Sequence, residues 1–180
     1  MKSIVALAAV LCVLASAGRG EVADSSANGF TVKITTSIHA SPLDVYKKLI
    51  GIGDWWSSRH TYSGDAHNLS IEERPGGCFC EKLPNGGVRH MEVLFFLSGK
   101  TLRLSGGLGP LQAIGAGGAL TFSLSPENDG TKLELTYVVN GYSPQGMNTW
   151  AAPVDNVLGE QITRLKNYIE TGNPNGPDKK

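Results

Sequence analysis

Two cysteines separated by a single residue are the most distinctive chemical feature of this chain. Cys78 and Cys80 follow the pair Gly76–Gly77 in the stretch RPGGCFCEK. If the stretch is a strand, both side chains lie on one face, with Cα atoms about 6–7 Å apart. That separation is near the upper limit for a disulfide, which would need a local bulge. We therefore interpret the pair as two buried thiols in a pocket wall. A strained, easily reduced disulfide and a thiol redox or metal-handling site are the alternatives.

Three other residues are candidates for proton transfer. His60 and Tyr62 lie in a predicted loop, and Tyr142 lies shortly before the predicted last helix. A histidine or tyrosine that faced a pocket could act as an acid or a base. The sequence shows no adjacent nucleophile and base, no carboxylate dyad and no metal-ligand cluster, so no catalytic residue can be assigned firmly.

The predicted strand VRHMEVLFFL has one uniformly apolar face, which should point to the interior. That face consists of Met91, Val93, Phe95 and Leu97. His90 and Glu92 are therefore predicted to point outward and are not candidates for catalysis.

Length, charge and glycine content limit the classes of protein to which the chain can belong. The chain has 180 residues, enough for one domain with a real core. Its 16 basic residues equal its 16 acidic residues, so it lacks the excess positive charge that a nucleic-acid-binding protein needs. The 23 glycines favour a turn-rich β protein over a helical bundle.

The first 17 residues are typical of an export signal. Lys2 precedes the apolar run Ile4–Ala15, which is too short to span a bilayer comfortably. The small residues Ala15–Ala17 predict cleavage after Ala17, which would remove Cys12 with the signal. We expect a protein that is periplasmic or secreted, with no stable membrane insertion after cleavage. An uncleaved N-terminal anchor is the alternative.

The rest of the chain predicts one α+β domain. A strand near residues 30–39 alternates apolar and polar side chains, and Ser41 is a good N-cap for the helix that follows it. GIGDWW predicts a turn or a second short helix, and about six further strands follow. A last helix should begin near Ala152 and end at Gly172. The predicted division is a flexible lead-in at 18–28, a domain at 29–172 and a disordered tail at 173–180.

This order of elements resembles that of the START-related SRPBCC superfamily. The stretches that carry the resemblance are SPLDVYKKLIGIGDWW, VLGEQITRLKNYIETG, GGCFCE and GGLGPLQ, and together it covers about residues 29–171. The branch that the chain most resembles is the polyketide cyclase/dehydrase and lipid-transport type, in its exported bacterial members. The resemblance implies a helix-grip fold, in which a curved antiparallel sheet of about seven strands wraps around a long C-terminal helix. It also implies two short helices after the first strand, a deep apolar pocket and no required cofactor.

The expected function is to hold a small hydrophobic or amphipathic ligand between the sheet and the last helix. A cofactor-independent cyclase or dehydratase using the same cavity is the alternative, and nothing identifies a protein partner. Residues 106–118 are glycine-rich and should form a lip, in which Leu108, Leu111 and Ile114 cap one end of the pocket. Of the adjacent tryptophans, at most one should face inward. The predicted ligand-binding residues are Trp55, Trp56, Cys78, Cys80, Met91, Val93, Leu104, Phe122, Tyr137 and Val154.

Overall fold

Alternating apolar residues build an eight-stranded antiparallel sheet in the computed structural model, which describes residues 19–177. The predicted export signal and the last three residues of the predicted tail lie outside the described part. The spatial order of the strands is β1-β2-β8-β7-β6-β5-β4-β3. The strands are β1 (Arg19–Ser26), β2 (Gly29–Ile38), β3 (Leu69–Ile71), β4 (Cys78–Leu83), β5 (Gly86–Leu97), β6 (Thr101–Gly106), β7 (Gly117–Glu127) and β8 (Gly130–Asn140).

The first strand replaces the predicted flexible lead-in. Residues 19–26 pair with β2, and Val22 lies opposite Val32. The segment is polar and shows little alternation, so its sequence does not predict a strand. Hydrogen bonding to the exposed edge of β2 and packing of the last helix on β1 hold it in place. This strand accounts for the difference between the predicted number of about seven and the observed eight.

The two predicted short helices follow β2. The first is α1 (Pro42–Ile50), and Ser41 caps it as predicted, because its Oγ accepts a hydrogen bond from the Asp44 N–H. The second is a single 3₁₀ turn, Ile52–Asp54. Further 3₁₀ turns occur at Ser58–His60, Ala66–Asn68 and Gly109–Leu111.

The long helix α2 (Asn148–Thr171) packs closely on β1 and β2. It begins before the predicted start near Ala152, so Pro153 lies in its second turn rather than its first. It ends as predicted at Gly172, which adopts a left-handed conformation with φ of 78°. Because α2 lies near one edge of the sheet, the curved β3–β5 end is less covered by it. Within residues 19–177, no helix is long and apolar enough to cross a membrane.

The described part of the predicted disordered tail is packed against α2. Arg164 Nη1 donates to Asn175 Oδ1 at 2.6 Å, and Asn167 Nδ2 donates to the Pro174 carbonyl at 3.4 Å. Residues 173–177 therefore form a turn held by two side chains of the helix.

Strand β5 contains two bulges that change which of its side chains point inward. His90 is an extra residue between the pairs Cys80↔Arg89 and Phe79↔Met91, so that His90 and Met91 are both buried. Leu94 is an extra residue in the pairing with β6. The prediction that His90 points outward is therefore wrong. The prediction that Phe95 and Leu97 point inward is also wrong, because both are about half exposed.

Candidate functional site

A cavity of about 360 Å³ lies between the N-terminal half of α2 and the β3–β5 end of the sheet. This volume falls at the lower end of the range of small-molecule sites, roughly 300–1,000 Å³. The cavity exists because α2 packs on the opposite edge of the sheet and stands away from β3–β5. Its wall is mainly apolar and aromatic. Its apolar and aromatic lining includes Trp56, Phe79, Leu108, Leu111, Trp150 and Val157.

The two adjacent tryptophans have different positions, as expected for neighbours at the end of a short helix. Trp55 is fully buried, and its Nε1–H donates to the Leu49 carbonyl at 3.2 Å. Trp56 lines the cavity, and its Nε1–H donates to the His60 carbonyl at 3.0 Å. Because both indole N–H groups are satisfied by backbone, the exposed part of the Trp56 ring is a purely apolar surface.

Two polar residues of α2 fix the backbone around these tryptophans. Gln161 is buried, and its Oε1 accepts a hydrogen bond from the Ser57 N–H at 2.8 Å. Arg164 Nε donates to the Trp55 carbonyl at 2.9 Å. These bonds attach residues 55–57 to α2, which forms the opposite wall of the cavity. The distance between the two walls is therefore fixed by hydrogen bonds as well as by packing.

The phase of β4 is opposite to the predicted one. Phe79 and Glu81 point inward, whereas Cys78 and Cys80 are half-buried on the other face. In a regular hairpin the cysteines would share the face of Met91 and thus point inward with it. The bulge at His90 removes that coupling, since it allows two consecutive residues of β5 to be buried.

Cys78 and Cys80 form a disulfide on the outer side of β4, with Cα atoms 5.3 Å apart. The preferred interpretation, two free thiols in the pocket wall, is therefore wrong, and the disulfide alternative is present. The strand is locally compressed relative to a regular two-residue rise, which brings the Cα atoms within the usual range for a disulfide. The bulge lies in the partner strand rather than at Gly76–Gly77.

Glu81 and His90 form a buried hydrogen-bonded contact, in which His90 lies in the cavity wall. His90 Nε2 lies 3.0 Å from Glu81 Oε2, and the two side chains are 6% and 0% exposed. The Glu81 carboxylate also accepts hydrogen bonds from the backbone N–H groups of Tyr62 and Ser63. Burial alone would raise the pKa of Glu81, but the hydrogen bonds from Ser63, Tyr62 and His90 together outweigh it and hold the pKa below its ordinary value.

Two aromatic rings contact the His90 imidazole. The Tyr62 ring stacks on it with centroids 5.9 Å apart, and the Phe79 ring lies at 5.1 Å. Phe79 also contacts Trp56 edge to face at 6.1 Å. The imidazole is thus held in one orientation by its neighbours.

A second polar group lies at the rim of the cavity. Arg59 Nη2 and His60 Nε2 contact the two carboxylate oxygens of Glu160 at 2.9 Å and 3.2 Å. Burial raises the pKa of Glu160, but hydrogen bonds from Arg59, Ser57 and His60 outweigh this and lower it overall. Because Arg59 is largely exposed, this contact is worth little stability.

The glycine-rich segment forms the lip that the sequence predicts. Leu108 and Leu111 line the cavity, whereas Ile114 is half-buried against the core. The Tyr137 hydroxyl holds this lip, since it accepts from the Leu108 N–H at 3.3 Å and donates to the Gly106 carbonyl at 3.0 Å. Burial raises the pKa of Tyr137 to about 12, so it stays a neutral donor.

The structure distributes the predicted site residues among three environments. His60, Tyr62, Trp56 and Val154 line the cavity, and Tyr142 is 77% exposed away from it. Cys78 and Cys80 lie on the outer face of β4, outside the lining. The residues that belong to the packed core instead of the lining are Trp55, Met91, Val93, Leu104, Phe122 and Tyr137.

Sequence reasoning missed Phe79 and His90 as lining residues, and it left Trp150 out of the predicted ligand-binding set although its position before the last helix allowed ligand contact. For Phe79 a signal was available, because a phenylalanine is a larger apolar group than the two cysteines beside it and would gain more from burial. For His90 no signal was available, because the alternation of β5 predicts that its side chain points outward. Within the described range 19–177, no group of three or more His, Cys, Asp or Glu side chains could hold a metal ion.

Neither a protein-family model nor a curated protein sequence matches the chain. Solved structures do match it. The Aha1 dimer from Colwellia psychrerythraea is 20% identical, with 79% of this chain and 97% of that chain covered and a TM-score of 0.58. The conserved protein EF2215 from Enterococcus faecalis, of unknown function, is 17% identical over 89% of this chain and 82% of that one, with a TM-score of 0.60. CalU16 from Micromonospora echinospora is 18% identical over 88% and 87%, with a TM-score of 0.59.

Identities this low show the fold alone. The chain has the helix-grip fold that its sequence resemblance implied. This fold places a cavity between a curved sheet and a long C-terminal helix, and proteins that share it can differ in what the cavity holds.

Proposed function

We propose that this protein binds one small hydrophobic or amphipathic molecule in the cavity between α2 and the β3–β5 end of the sheet. The observation that carries the proposal is an apolar, aromatic-lined cavity of about 360 Å³ whose walls are fixed by hydrogen bonds from α2. Transfer of an apolar molecule from water into such a site is favourable by about 25 cal/mol per Å² buried. Since Trp56 and Trp150 both line it, flat molecules have aromatic faces to stack on.

Filling the cavity tests this proposal. Val157→Trp places a large ring in the cavity from α2, whereas Val138→Trp adds the same ring at a half-exposed position on β8 outside the lining. Binding of 2-methylnaphthalene is measured by equilibrium dialysis, and circular dichroism checks the fold of each variant. We expect the wild type and Val138→Trp to bind the probe and Val157→Trp to lose binding. Undiminished binding by folded Val157→Trp, or no binding by the wild type, would contradict the proposal.

A second candidate function is a cofactor-independent cyclase or dehydratase. The specific observation that favours it is His90, an imidazole in the cavity wall oriented by a buried carboxylate, which is the arrangement of a general base. Deuterium exchange at the α-carbon of 2-tetralone, followed by mass spectrometry, distinguishes an enzyme from a carrier. Accelerated exchange that is lost in His90→Phe would favour the enzyme, and exchange at the buffer rate would favour the carrier.

We also infer that the protein acts after export, in the periplasm or outside the cell. Lys2, the apolar run Ile4–Ala15 and the small residues Ala15–Ala17 support export, and the Cys78–Cys80 disulfide is of a kind that persists in oxidising compartments. Intact-mass measurement of the protein isolated from its native cells should give a chain that begins at Gly18. A mature chain that retains residues 1–17 would contradict cleavage.

A further inference from the structure

Among the polar side chains that line the cavity, His90 is the buried one, and the binding of an apolar molecule does not use it. His90 is 6% exposed and lies in the cavity wall, in contact with the rings of Tyr62 and Phe79. A buried imidazole in such surroundings is costly unless both of its nitrogens have partners. Nε2 has Glu81. No hydrogen bond to Nδ1 occurs among residues 19–177, and the fully enclosed unpaired atoms of that range are Tyr46 Oη and Asp155 Oδ1, so Nδ1 is accessible to a ligand.

The partner on Nε2 determines what Nδ1 can do. The Glu81 carboxylate takes hydrogen bonds from Tyr62 N–H and Ser63 N–H, and these groups can only donate. A carboxylate fixed in this way remains an acceptor, so Nε2 must carry the proton that joins it to His90. In the neutral imidazole Nδ1 then carries no proton, and its lone pair can accept a hydrogen bond but cannot donate one.

We propose that His90 Nδ1 accepts a hydrogen bond from a hydroxyl group of the ligand, so that the ligand class is a small aromatic alcohol or phenol rather than a hydrocarbon or an acid. This proposal rests on the proposed binding function. The aromatic walls formed by Trp56, Phe79 and Trp150 take the ring, and His90 fixes the end that carries the hydroxyl.

The buried charge next to His90 disfavours the other polar ligands, and the one basic guanidinium of the lining, Arg59 at the rim, is already paired with Glu160. A ligand carboxylate hydrogen-bonded near His90 would lie close to the Glu81 carboxylate in a largely apolar wall, where repulsion is weakly screened. A ligand cation would find no Asp or Glu among the lining residues. A neutral hydroxyl donor satisfies Nδ1 without adding charge.

Three probes of nearly the same shape test the inference by equilibrium dialysis with the full mature chain. 2-Naphthol donates a hydrogen bond, 2-methylnaphthalene replaces that hydroxyl by a methyl group, and 2-naphthoate carries an anion. We expect 2-naphthol to bind about tenfold more tightly than 2-methylnaphthalene, which corresponds to one hydrogen bond of about 1.4 kcal/mol. Equal binding of these two would contradict the inference but leave the proposed function intact. Tightest binding of 2-naphthoate would also contradict the inference. Binding of none of the three would contradict the proposed function.

Two variants locate the effect at His90. His90→Phe keeps a ring between Tyr62 and Phe79 and removes the acceptor, so the preference for 2-naphthol should disappear while 2-methylnaphthalene still binds. If that variant does not fold, Glu81→Gln serves instead. Its amide can donate to Nε2 and move the imidazole proton to Nδ1, which should abolish or reverse the preference. His67→Ala, an exposed histidine outside the cavity, is the matched control and should keep it.

His90 also borders a groove on the outer side of the sheet, next to Arg89 and Gln112. If Nδ1 served that groove instead of the cavity, the preference for 2-naphthol would be unchanged in His90→Phe. That result would overturn the assignment of the anchor to His90.

Discussion

His90 Nε2 lies 3.0 Å from Glu81 Oε2 across the bulge that interrupts the pairing of β4 with β5. This single contact connects three parts of the cavity. Glu81 holds residues 62–63 at the rim of the cavity, because its carboxylate accepts hydrogen bonds from their backbone N–H groups. His90 forms part of the wall next to the rings of Tyr62 and Phe79. The pair therefore determines both the shape of the cavity and the chemistry of its one buried polar group.

Loss of the Glu81 carboxylate should be strongly destabilising. Glu81→Ala leaves two backbone N–H groups and the buried His90 without their acceptor, so we expect the free energy of unfolding to fall by about 3 kcal/mol. Urea denaturation followed by circular dichroism measures this change. The control is Glu92→Ala, which removes a half-exposed contact with Arg89 and should cost well under 1 kcal/mol. Equal losses in the two variants would show that the Glu81 network is not a stabilising feature.

The same carboxylate should make stability depend on pH in the acid range. Because the pKa of Glu81 is lower in the folded state than the ordinary value of 4.5, the unfolded state binds its proton first as the pH falls. Its contribution is fully present above the unfolded pKa and is lost as the pH falls through the folded pKa. The difference in unfolding free energy between wild type and Glu81→Gln should be constant above about pH 5 and shrink below it. A difference that grows towards low pH would contradict the direction of the shift.

The helix-grip fold could be predicted because most of its strands obey simple alternation. In β2 every second residue from Phe30 to Ile38 is buried, as its sequence predicts. Local signals also fixed the ends of the helices, through Ser41 at the start of α1 and Gly172 at the end of α2. The edge strand β1 could not be predicted, because its sequence does not alternate apolar and polar residues. Its extended conformation depends on hydrogen bonds to β2.

The candidate site was predictable only in part, because its centre lies at a bulge. Alternation assigns every side chain of β4 and β5 once one face is chosen, and Met91 and Val93 identify the inner face of β5 correctly. An extra residue at His90 shifts the two strands by one position, which buries His90 against the alternation. The assignment of Cys78 and Cys80 to the pocket fails because it rested on the tendency of free cysteines to be buried, whereas Phe79 and Glu81 occupy the inner face of β4. Trp56 and Val154 were found because each lies in a segment whose pattern has no such interruption.

The Cys78–Cys80 disulfide should contribute only modestly to stability. It closes a loop of three residues, and the chain-entropy relation gives about 1.5 kcal/mol for so short a loop. Thiol titration of the unfolded mature chain should find no free thiol before reduction and two after it. The double variant Cys78→Ser/Cys80→Ser should lose about that amount in urea denaturation and keep probe binding, since neither cysteine lines the cavity. Two free thiols in the untreated chain without residues 1–17 would contradict the disulfide.

Gln161 should be important for the cavity although it does not line it. Gln161→Leu leaves the buried Ser57 N–H without an acceptor, for which we expect a loss of about 1–3 kcal/mol in unfolding free energy. Residues 55–57 then lose one of their hydrogen bonds to α2, so Trp56 is held less firmly in the cavity wall. The affinity for an apolar probe should therefore also fall. Thr163→Ala, at an exposed position of the same helix, is the matched control and should change neither quantity appreciably. Wild-type stability and affinity in Gln161→Leu would show that packing alone holds residues 55–57.

The different positions of the three tryptophans should make ligand binding visible in their fluorescence. Trp56 and Trp150 line the cavity, whereas Trp55 is fully buried and its ring is not part of the lining. A non-fluorescent apolar probe such as cyclohexane should therefore change the emission of Trp56 and Trp150 by replacing water beside their rings. The change should persist in Trp55→Phe and become smaller in Trp56→Phe and in Trp150→Phe. These three substitutions are chemically identical, so the comparison isolates position from residue type. An emission change that disappears only in Trp55→Phe would place the ligand in the packed core, outside the cavity described above.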